Sequence, residues 1–287
     1  MSTYSAHRWR FGGLFVRGRR STAFAVSFAF ISSGLALTPL ALTAAHADPD
    51  VHAAMFDERP VDGTLNAADG EVRSIAQVGD TVVMGGSFTK VGPAKPGAAG
   101  EVDLSASSFT GNFPEVDGVV HAAVADGNGG WFIAGQFLSV GGTTRTNLAR
   151  VNALGNVTAW NPAVNGPVYA LAATDDGDLM VGGDFSTIGG QSATRLARVS
   201  TTTGDVMWTA DVRGATLATA ASVRALMVAN GRVYVGGDFT KVGTTTRNRI
   251  AAFDPATGVL DSSFVSSPNA RVRAMVLQGS TVWIAGD

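Results

Sequence analysis

Short apolar runs broken by glycine-rich turns dominate the chain, and they recur at a fixed interval. The phrase Val82-Val83-Met84-Gly85-Gly86-Ser87-Phe88 returns as Trp131-Phe132-Ile133-Ala134-Gly135-Gln136-Phe137, Leu179-Met180-Val181-Gly182-Gly183-Asp184-Phe185, Val233-Tyr234-Val235-Gly236-Gly237-Asp238-Phe239 and Val282-Trp283-Ile284-Ala285-Gly286-Asp287. Its second small residue falls at Gly86, Gly135, Gly183, Gly237 and Gly286, with spacings of 49, 48, 54 and 49 residues. A second marker keeps the same phase: Val72-Arg73-Ser74-Ile75, Val120-His121-Ala122-Ala123, Val168-Tyr169-Ala170-Leu171, Val223-Arg224-Ala225-Leu226 and Val272-Arg273-Ala274-Met275. Two patterns locked in phase define a structural repeat. The extra length of the third interval falls between Arg213 and Ser222, which predicts a loop insertion, where added residues cost little.

Each unit resolves into four short strands. In the best-formed unit these are Val223 to Met227, Arg232 to Val235, Arg249 to Phe253 and Val259 to Phe264. The turn at Asn230-Gly231 is a strong hairpin signal, and Asp254-Pro255-Ala256-Thr257-Gly258 is turn chemistry. No apolar period of 3.6 residues survives across these breaks, so helix does not compete. The predicted fold is all-β: a β-propeller of four-stranded blades with repeats of about 49 residues. A β-helix or open solenoid is the rival, but such repeats are usually shorter and lack two paired hairpins per unit.

The phase predicts a partial blade over 48–71, four complete repeats over 72–271, and the first half of a further blade over 272–287. Ala53-Ala54-Met55-Phe56-Asp57 echoes Ala251-Ala252-Phe253-Asp254, so the two end pieces could combine into a fifth blade. Truncation of a longer propeller is the favoured expectation, because the last phrase stops at Asp287, where Asp184 and Asp238 are followed by phenylalanine. An unclosed strand edge of that kind offers itself to another chain.

Residues 1–47 carry Arg8, Arg10, Arg17, Arg19 and Arg20 with no acidic residue, then an uncharged apolar run ending in Ala45-His46-Ala47. That order describes a cleavable secretory signal peptide, with the Arg19-Arg20 pair leaving twin-arginine export open beside the general route. Removing these five arginines takes the formal charge from −2 to −7 for the remaining 240 residues. An acidic chain argues against nucleic acid, and without a polybasic segment the membrane is met only through the leader. There is no cysteine, so disulfides, thiolate nucleophiles and cysteine metal sites are all excluded.

The Gly-Gly-Asp-Phe phrase followed by Ile250-Ala251-Ala252-Phe253-Asp254 resembles the bacterial delta-60 repeat β-propellers. The run from Trp160-Asn161-Pro162 to Val168-Tyr169-Ala170-Leu171 is similar to repeats of the fungal cortical marker Rax2. The resemblance covers nearly all of the chain after the leader. It implies a secreted or surface-exposed propeller, often joined to further extracellular modules, and supplies neither catalytic residues nor a ligand. The first unit departs from it, with Pro93 to Gly100 replacing the Gly-Thr-Thr-Arg loop and Ser87 standing where later units have aspartate.

Several residues have candidate chemistry. Asp184, Asp238 and Asp287 occupy equivalent positions after the small-residue pair, either as a partial ring of carboxylates for a cation or sugar, or as acceptors fixing the strand exit. Ser87 and Gln136 fill the same slot and favour the second reading. Asp175, Asp176 and Asp178 could offer oxygens to calcium, but their spacing completes no calcium loop and a solvated turn is favoured. Arg145, Arg150, Arg195, Arg198, Arg247 and Arg249 follow the Gly/Thr loops and are expected to pair within the fold or to line a face for anionic glycans. Among the tryptophans, Trp160 and Trp208 lie nearest the outer strand and are expected to be partly exposed. Trp160, Trp208, Arg145, Arg195 and Arg247 are therefore the candidate ligand contacts. The only histidines after the leader are His52 and His121, which form no triad or metal pattern. No catalytic residue, cofactor or metal ligand is assigned. The expected function is a secreted or cell-surface scaffold contacting protein or glycan. The alternative is a carbohydrate-binding or carbohydrate-active module using carboxylates and exposed tryptophan.

Overall fold

The computed structural model describes residues 45–46, 69–91, 95–106, 108–216 and 220–287. The predicted leader, apart from the strand pair Ala45–His46, and the expected partial blade up to residue 68 lie outside the described residues, as do 92–94 in the first Gly/Thr-loop equivalent and 217–219 in the predicted insertion. Among the described residues no helix is long and apolar enough to cross a membrane.

The architecture is a β-propeller, built of antiparallel sheets that follow the repeat. The first blade comprises β1 (Val72–Val78), β2 (Thr81–Gly86), β3 (Ala99–Asp103) and β4 (Ser108–Phe109), each pairing with the next. The second has β5 (Val116–Ala125), β6 (Trp131–Val140) and β7 (Leu148–Val151), and the third has β8 (Val168–Ala173), β9 (Leu179–Gly183), β10 (Arg195–Val199) and β11 (Val206–Arg213). The fourth has β12 (Ser222–Ala229), β13 (Arg232–Asp238) and β14 (Ile250–Phe253), followed by the hairpin of β15 (Val272–Gln278) and β16 (Thr281–Gly286).

One sequence expectation needs correction. The fourth strand foreseen over 259–264 is reduced to a single bridge between Phe253 and Leu260, and its counterpart in the second blade to one between Val151 and Val157. An outermost strand has one neighbour only, and these are short, polar and turn-bounded, so little holds them to the ladder. The segment after Arg213 follows the eight-residue β11, which crosses to the next blade, pairing Val212 with Val242 and Arg213 with Lys241.

The core lies between blades. Val83, Val120 and Ile133 belong to the cluster joining the first two blades; Phe132, Leu171, Phe185 and Ile188 to the next; Met180, Val223, Phe239 and Phe253 to the third. A further cluster, Met227, Tyr234 and Ala252 with Met275 and Leu277, joins β12–β14 to β15. A lone four-stranded sheet cannot bury both faces, so each blade draws its stability from its neighbours. The phenylalanine closing each phrase (Phe88, Phe137, Phe185 and Phe239) is buried in every case.

The small-residue pair has two separate causes. The first glycine leaves room for a valine of the next blade: a Cβ at Gly85, Gly182 or Gly236 would collide with the side chain of Val120, Val223 or Val272. The second glycine faces backbone. A Cβ at Gly86, Gly135, Gly183, Gly237 or Gly286 would overlap the carbonyl oxygen of Glu71, Val119, Pro167, Ser222 or Arg271. At the same level the first strand slips register against the second, between Val72 and Ser74 and at the four equivalent places. The skipped residue is a β-bulge.

Candidate functional site

The skipped residues are Arg73, His121, Tyr169, Arg224 and Arg273. A bulged residue is released from the alternation of its strand, so its side chain can be re-aimed. First strands of successive blades lie beside one another, and four of these five side chains meet around one pocket. His121, Tyr169, Arg224 and Arg273 line it together with Ala122, Ala170, Ala225 and Ala274, above Leu171, Leu226 and Met275.

The contacts run from blade to blade. The His121 and Tyr169 rings meet edge to face at 5.1 Å between centroids. The Arg224 guanidinium carbon lies over the opposite neighbour's ring, 3.7 Å from the Tyr169 centroid, an attractive cation–π arrangement. Arg224 Nε donates to Ser222 Oγ at 2.9 Å. Burial pushes the Arg224 guanidinium below its usual pKa, and the nearby Arg271 and Arg273 charges push the same way, against the opposing pull of Tyr169 and Asp184. His121 is buried.

Carboxylates surround this cluster and are engaged by arginine. Arg73 Nη2 donates to Glu71 at 2.6 Å, Arg271 Nη2 to Asp238 at 3.0 Å, and Arg273 Nε to Asp287 at 2.7 Å. Asp184 pairs with Arg195 at 3.4 Å, and Asp238 also faces Arg249 at 3.7 Å. The equivalent aspartates Asp184, Asp238 and Asp287 thus sit against guanidinium groups.

The other sequence candidates are held within the fold. Arg145 donates to the carbonyls of Thr144 and Thr158 at 2.8 and 2.6 Å, and its equivalent Arg247 to those of Thr246 and Ser262 at 3.0 and 3.5 Å. Arg195, which has a left-handed backbone with φ of 73°, donates to Ala221 O and Val212 O at 2.8 and 3.0 Å. Arg150 Nε and Nη2 both donate to Asp126 Oδ2, at 3.0 and 2.7 Å. Arg198 bridges Asp176 and Asp178 within its blade and reaches Pro255 O of the next at 2.7 Å. Two of the three carboxylates read as a possible calcium turn are therefore neutralised by one buried arginine, and no group of three or more metal-ligating side chains stands together among the described residues.

The tryptophan expectation divides. Trp160 is buried at 6% exposure, correcting the expectation of partial exposure, and its indole N–H donates to Ser200 O at 2.9 Å. Trp208 is half-buried, stacks on Phe253, and donates to Pro255 O at 2.9 Å. Each indole reaches from the outer part of one blade to the third-strand turn of the next. The repeated glycines and aspartates were visible in the sequence as markers. The bulge residues were visible only as a variable second position in an apolar marker, where Arg, His, Tyr, Arg and Arg replace one another. That variability was the available signal.

A profile described as a domain of unknown function (DUF5122) beta-propeller matches residues 127–157, 174–205 and 229–264. Among solved structures, the chain is similar to the WD40 β-propeller domain of Doa1, with 13% identity over 75% of this chain and 60% of that one and a TM-score of 0.49. It is also similar to the extracellular domain of the BT4673 one-component system from B. thetaiotaomicron, with 14% identity over 75% and 26% and a TM-score of 0.44. A third similar structure is the computationally designed Ika8 protein, with 16% identity over 75% and 69% and a TM-score of 0.40. The chain spans less than two thirds of the length of the first two. No curated protein sequence matches it. The chain has a β-propeller fold, and about a third of it, in three segments, is similar to the DUF5122 beta-propeller description.

Proposed function

We propose that this protein is a secreted or cell-surface propeller that serves as an interaction scaffold for an extracellular protein or glycan. The leader over 1–47 supports export, and the resemblance to delta-60 repeats agrees with a surface location. The observation that carries the binding reading is the inner cluster. On a repeated frame, five equivalent bulges carry Arg73, His121, Tyr169, Arg224 and Arg273, which is uneven chemistry on an even scaffold. Structural repetition alone does not call for such a change from blade to blade.

The carbohydrate-active alternative draws less support. It needs Trp160 and Trp208 free beside unpaired carboxylates, whereas both indoles are committed to carbonyls of a neighbouring blade and Asp176 and Asp178 face Arg198. Self-association is a further element of the proposal. Within the described residues β16 pairs only with β15, and Trp283 and Ile284 on it are exposed, so a second copy could extend the sheet. Sedimentation over a range of concentrations tests that element.

A glycan array combined with binding assays on candidate extracellular proteins tests the main reading. Saturable binding that is lost when Tyr169 and Arg224 are replaced, in a variant that still folds, is the expected result. Hydrolysis of a glycan by the purified protein would replace the scaffold with the enzyme reading.

A further inference from the structure

The dipeptide Asn-Gly occurs three times in the chain, as Asn128-Gly129, Asn165-Gly166 and Asn230-Gly231. An asparagine followed by glycine is open to cyclisation on itself, because the glycine has no side chain to shield its backbone nitrogen from the asparagine Cγ. The same chemistry is therefore offered at three places, and the surroundings of the three differ.

Asn165 is locked. Its Oδ1 accepts from the Ser186 and Thr187 N–H groups, each at 2.9 Å, and its Nδ2 donates to Ser186 Oγ at 2.9 Å. Turning the side chain toward Gly166 breaks all three bonds. Asn230 is aimed the wrong way. It opens the two-residue turn between β12 and β13 with φ of 52°, and Ala229 pairs with Arg232 across that turn. In the left-handed conformation ψ is about +47°, which carries the next N–H to the side opposite the residue's own Cβ. Attack requires the reacting atoms to be close and aligned, and this turn withholds that geometry.

Asn128 has neither restraint. It is exposed, lies outside the left-handed region, and sits among Gly127, Gly129 and Gly130 in the turn between β5 and β6. Its side chain donates one long hydrogen bond, from Nδ2 to Asp126 O at 3.4 Å. A Cβ at Gly127 would meet nothing within 4 Å, so that flank is open. The Gly129 N–H donates to no backbone carbonyl among the described residues.

We propose that Asn128 is a site of spontaneous deamidation, converting to aspartate and isoaspartate while Asn165 and Asn230 are spared. The deprotonated Gly129 nitrogen attacks Asn128 Cγ and closes a five-membered imide ring. The Cγ–Nδ2 bond breaks, and the side-chain nitrogen leaves as ammonia, taking up the proton that Gly129 lost. Water then opens the ring. Opening at Cγ gives aspartate; opening at the backbone carbonyl gives isoaspartate, with the main chain rerouted through the side chain. The new carboxylate stands beside Asp126, whose Oδ1 accepts from the Asn128 and Gly130 N–H groups and whose Oδ2 accepts from Arg150. Arg150 also reaches Thr201 O of the third blade at 3.4 Å, so the repulsion between like charges falls on a joint between blades. The inference is independent of the scaffold proposal.

The test is incubation of the purified protein in mildly alkaline buffer, folded and in denaturant, followed by peptide mass spectrometry. Loss of ammonia and gain of water mark each converted asparagine, and chromatography separates the aspartate and isoaspartate peptides. In the folded protein, conversion at Asn128 is expected to run about tenfold or more ahead of conversion at Asn165 and Asn230, since releasing the lock or the turn adds to their barriers. In denaturant the three should convert at similar rates. Ser186→Ala removes one bond of the Asn165 lock and should speed conversion there severalfold, with Asn128 unchanged. Conversion at Asn165 or Asn230 as fast as at Asn128 in the folded protein would overturn the inference. So would an Asn128 that converts only after unfolding, or an Asn128 that lags in denaturant as well. The decisive comparison is made on the unaltered protein, so it stands whether or not Ser186→Ala folds.

Discussion

Val223, the first marker residue of the fourth blade, packs directly over the α-carbon of Gly182 in the third. The same knob and hole recur as Val120 on Gly85 and Val272 on Gly236. In the second blade Ala134 stands in the glycine's place and is buried in the cluster that contains Val168. The repeat spacing is therefore a packing rule between blades as much as a feature of each blade.

Adding a methyl group at the hole tests that rule. Gly182→Ala is expected to destabilise the fold by about 1–3 kcal/mol, the usual cost of overpacking, because the new Cβ overlaps the Val223 side chain. Val223→Ala removes the obstruction while leaving a cavity of its own. The double variant should be more stable than the sum of the two single losses predicts, with a coupling above about 0.5 kcal/mol. Additive losses in denaturant melts would show that the two residues are not in contact.

The second glycine should behave differently. At Gly237 a Cβ meets the carbonyl oxygen of Ser222, and backbone cannot be trimmed by mutation. Gly237→Ala is expected to cost more than about 3 kcal/mol, in the range reserved for strain and severe overpacking, and no substitution at Val223 should rescue it. By contrast Gly231→Ala, where a Cβ meets nothing and only the φ of 67° resists, should lose roughly 1 kcal/mol. Equal losses at Gly231 and Gly237 would refute the close-approach account.

The repeat, its phase and the all-β fold were legible in the sequence because the glycine pair is demanded twice over, once by side-chain packing and once by backbone approach. Such positions leave a periodic trace. The fourth strands around Val157 and Leu260 were less legible, since a strand held on one edge is decided by a few hydrogen bonds that residue type hardly encodes. Trp160 was misjudged for a related reason. Alternation along a strand places a side chain on one face or the other, but in stacked blades both faces can be interior. The inner cluster was hidden because a register slip of one residue re-aims Arg224 and its equivalents, and the residue pattern marks the slip only by the variable second position of the marker and the glycine opposite it.

Stability should depend on pH in two opposite ways. The Thr174 hydroxyl, donating at 2.6 Å, and then Arg198 hold Asp176 below its ordinary value of 3.8. Thr257 does the same for Asp254 and Ser263 for Asp261. A carboxylate lowered on folding stabilises fully above its unfolded value and loses that contribution as pH falls through its folded value. Asp176→Asn should therefore lower the melting temperature at pH 7 and converge with the unaltered protein near pH 2.

Glu101 has the reverse sign. Burial raises it above its ordinary value of 4.5, outweighing a hydrogen bond from Thr110. A carboxyl raised on folding favours the folded state below its unfolded value and opposes it as pH rises through and beyond that value. Glu101→Gln should accordingly raise the melting temperature at pH 7 and leave it unchanged at pH 3. A melting temperature that moves equally at both pH values would mean that the change acts through packing and not through the charge.

Trp160 offers the clearest separation between a structural latch and a sugar platform. Its indole is buried, meets Phe132 edge to face with centroids 4.9 Å apart, and donates to Ser200 O of the next blade. Trp160→Phe keeps most of the apolar area but removes one of the two donors to the Ser200 carbonyl, which still accepts from Gly204 N–H, and opens a small void, so a loss of about 1–2 kcal/mol is expected. The fluorescence removed by the substitution should come from the component resistant to acrylamide, which Trp160 shares with the buried Trp131, because a buried indole is shielded from collision. Trp283, which is exposed, should supply the readily quenched component. Under this account any glycan-array profile survives Trp160→Phe wherever the protein remains folded. A variant of unchanged stability that loses saturable glycan binding would instead place Trp160 in a recognition surface, and the latch between the second and third blades would have to be assigned elsewhere.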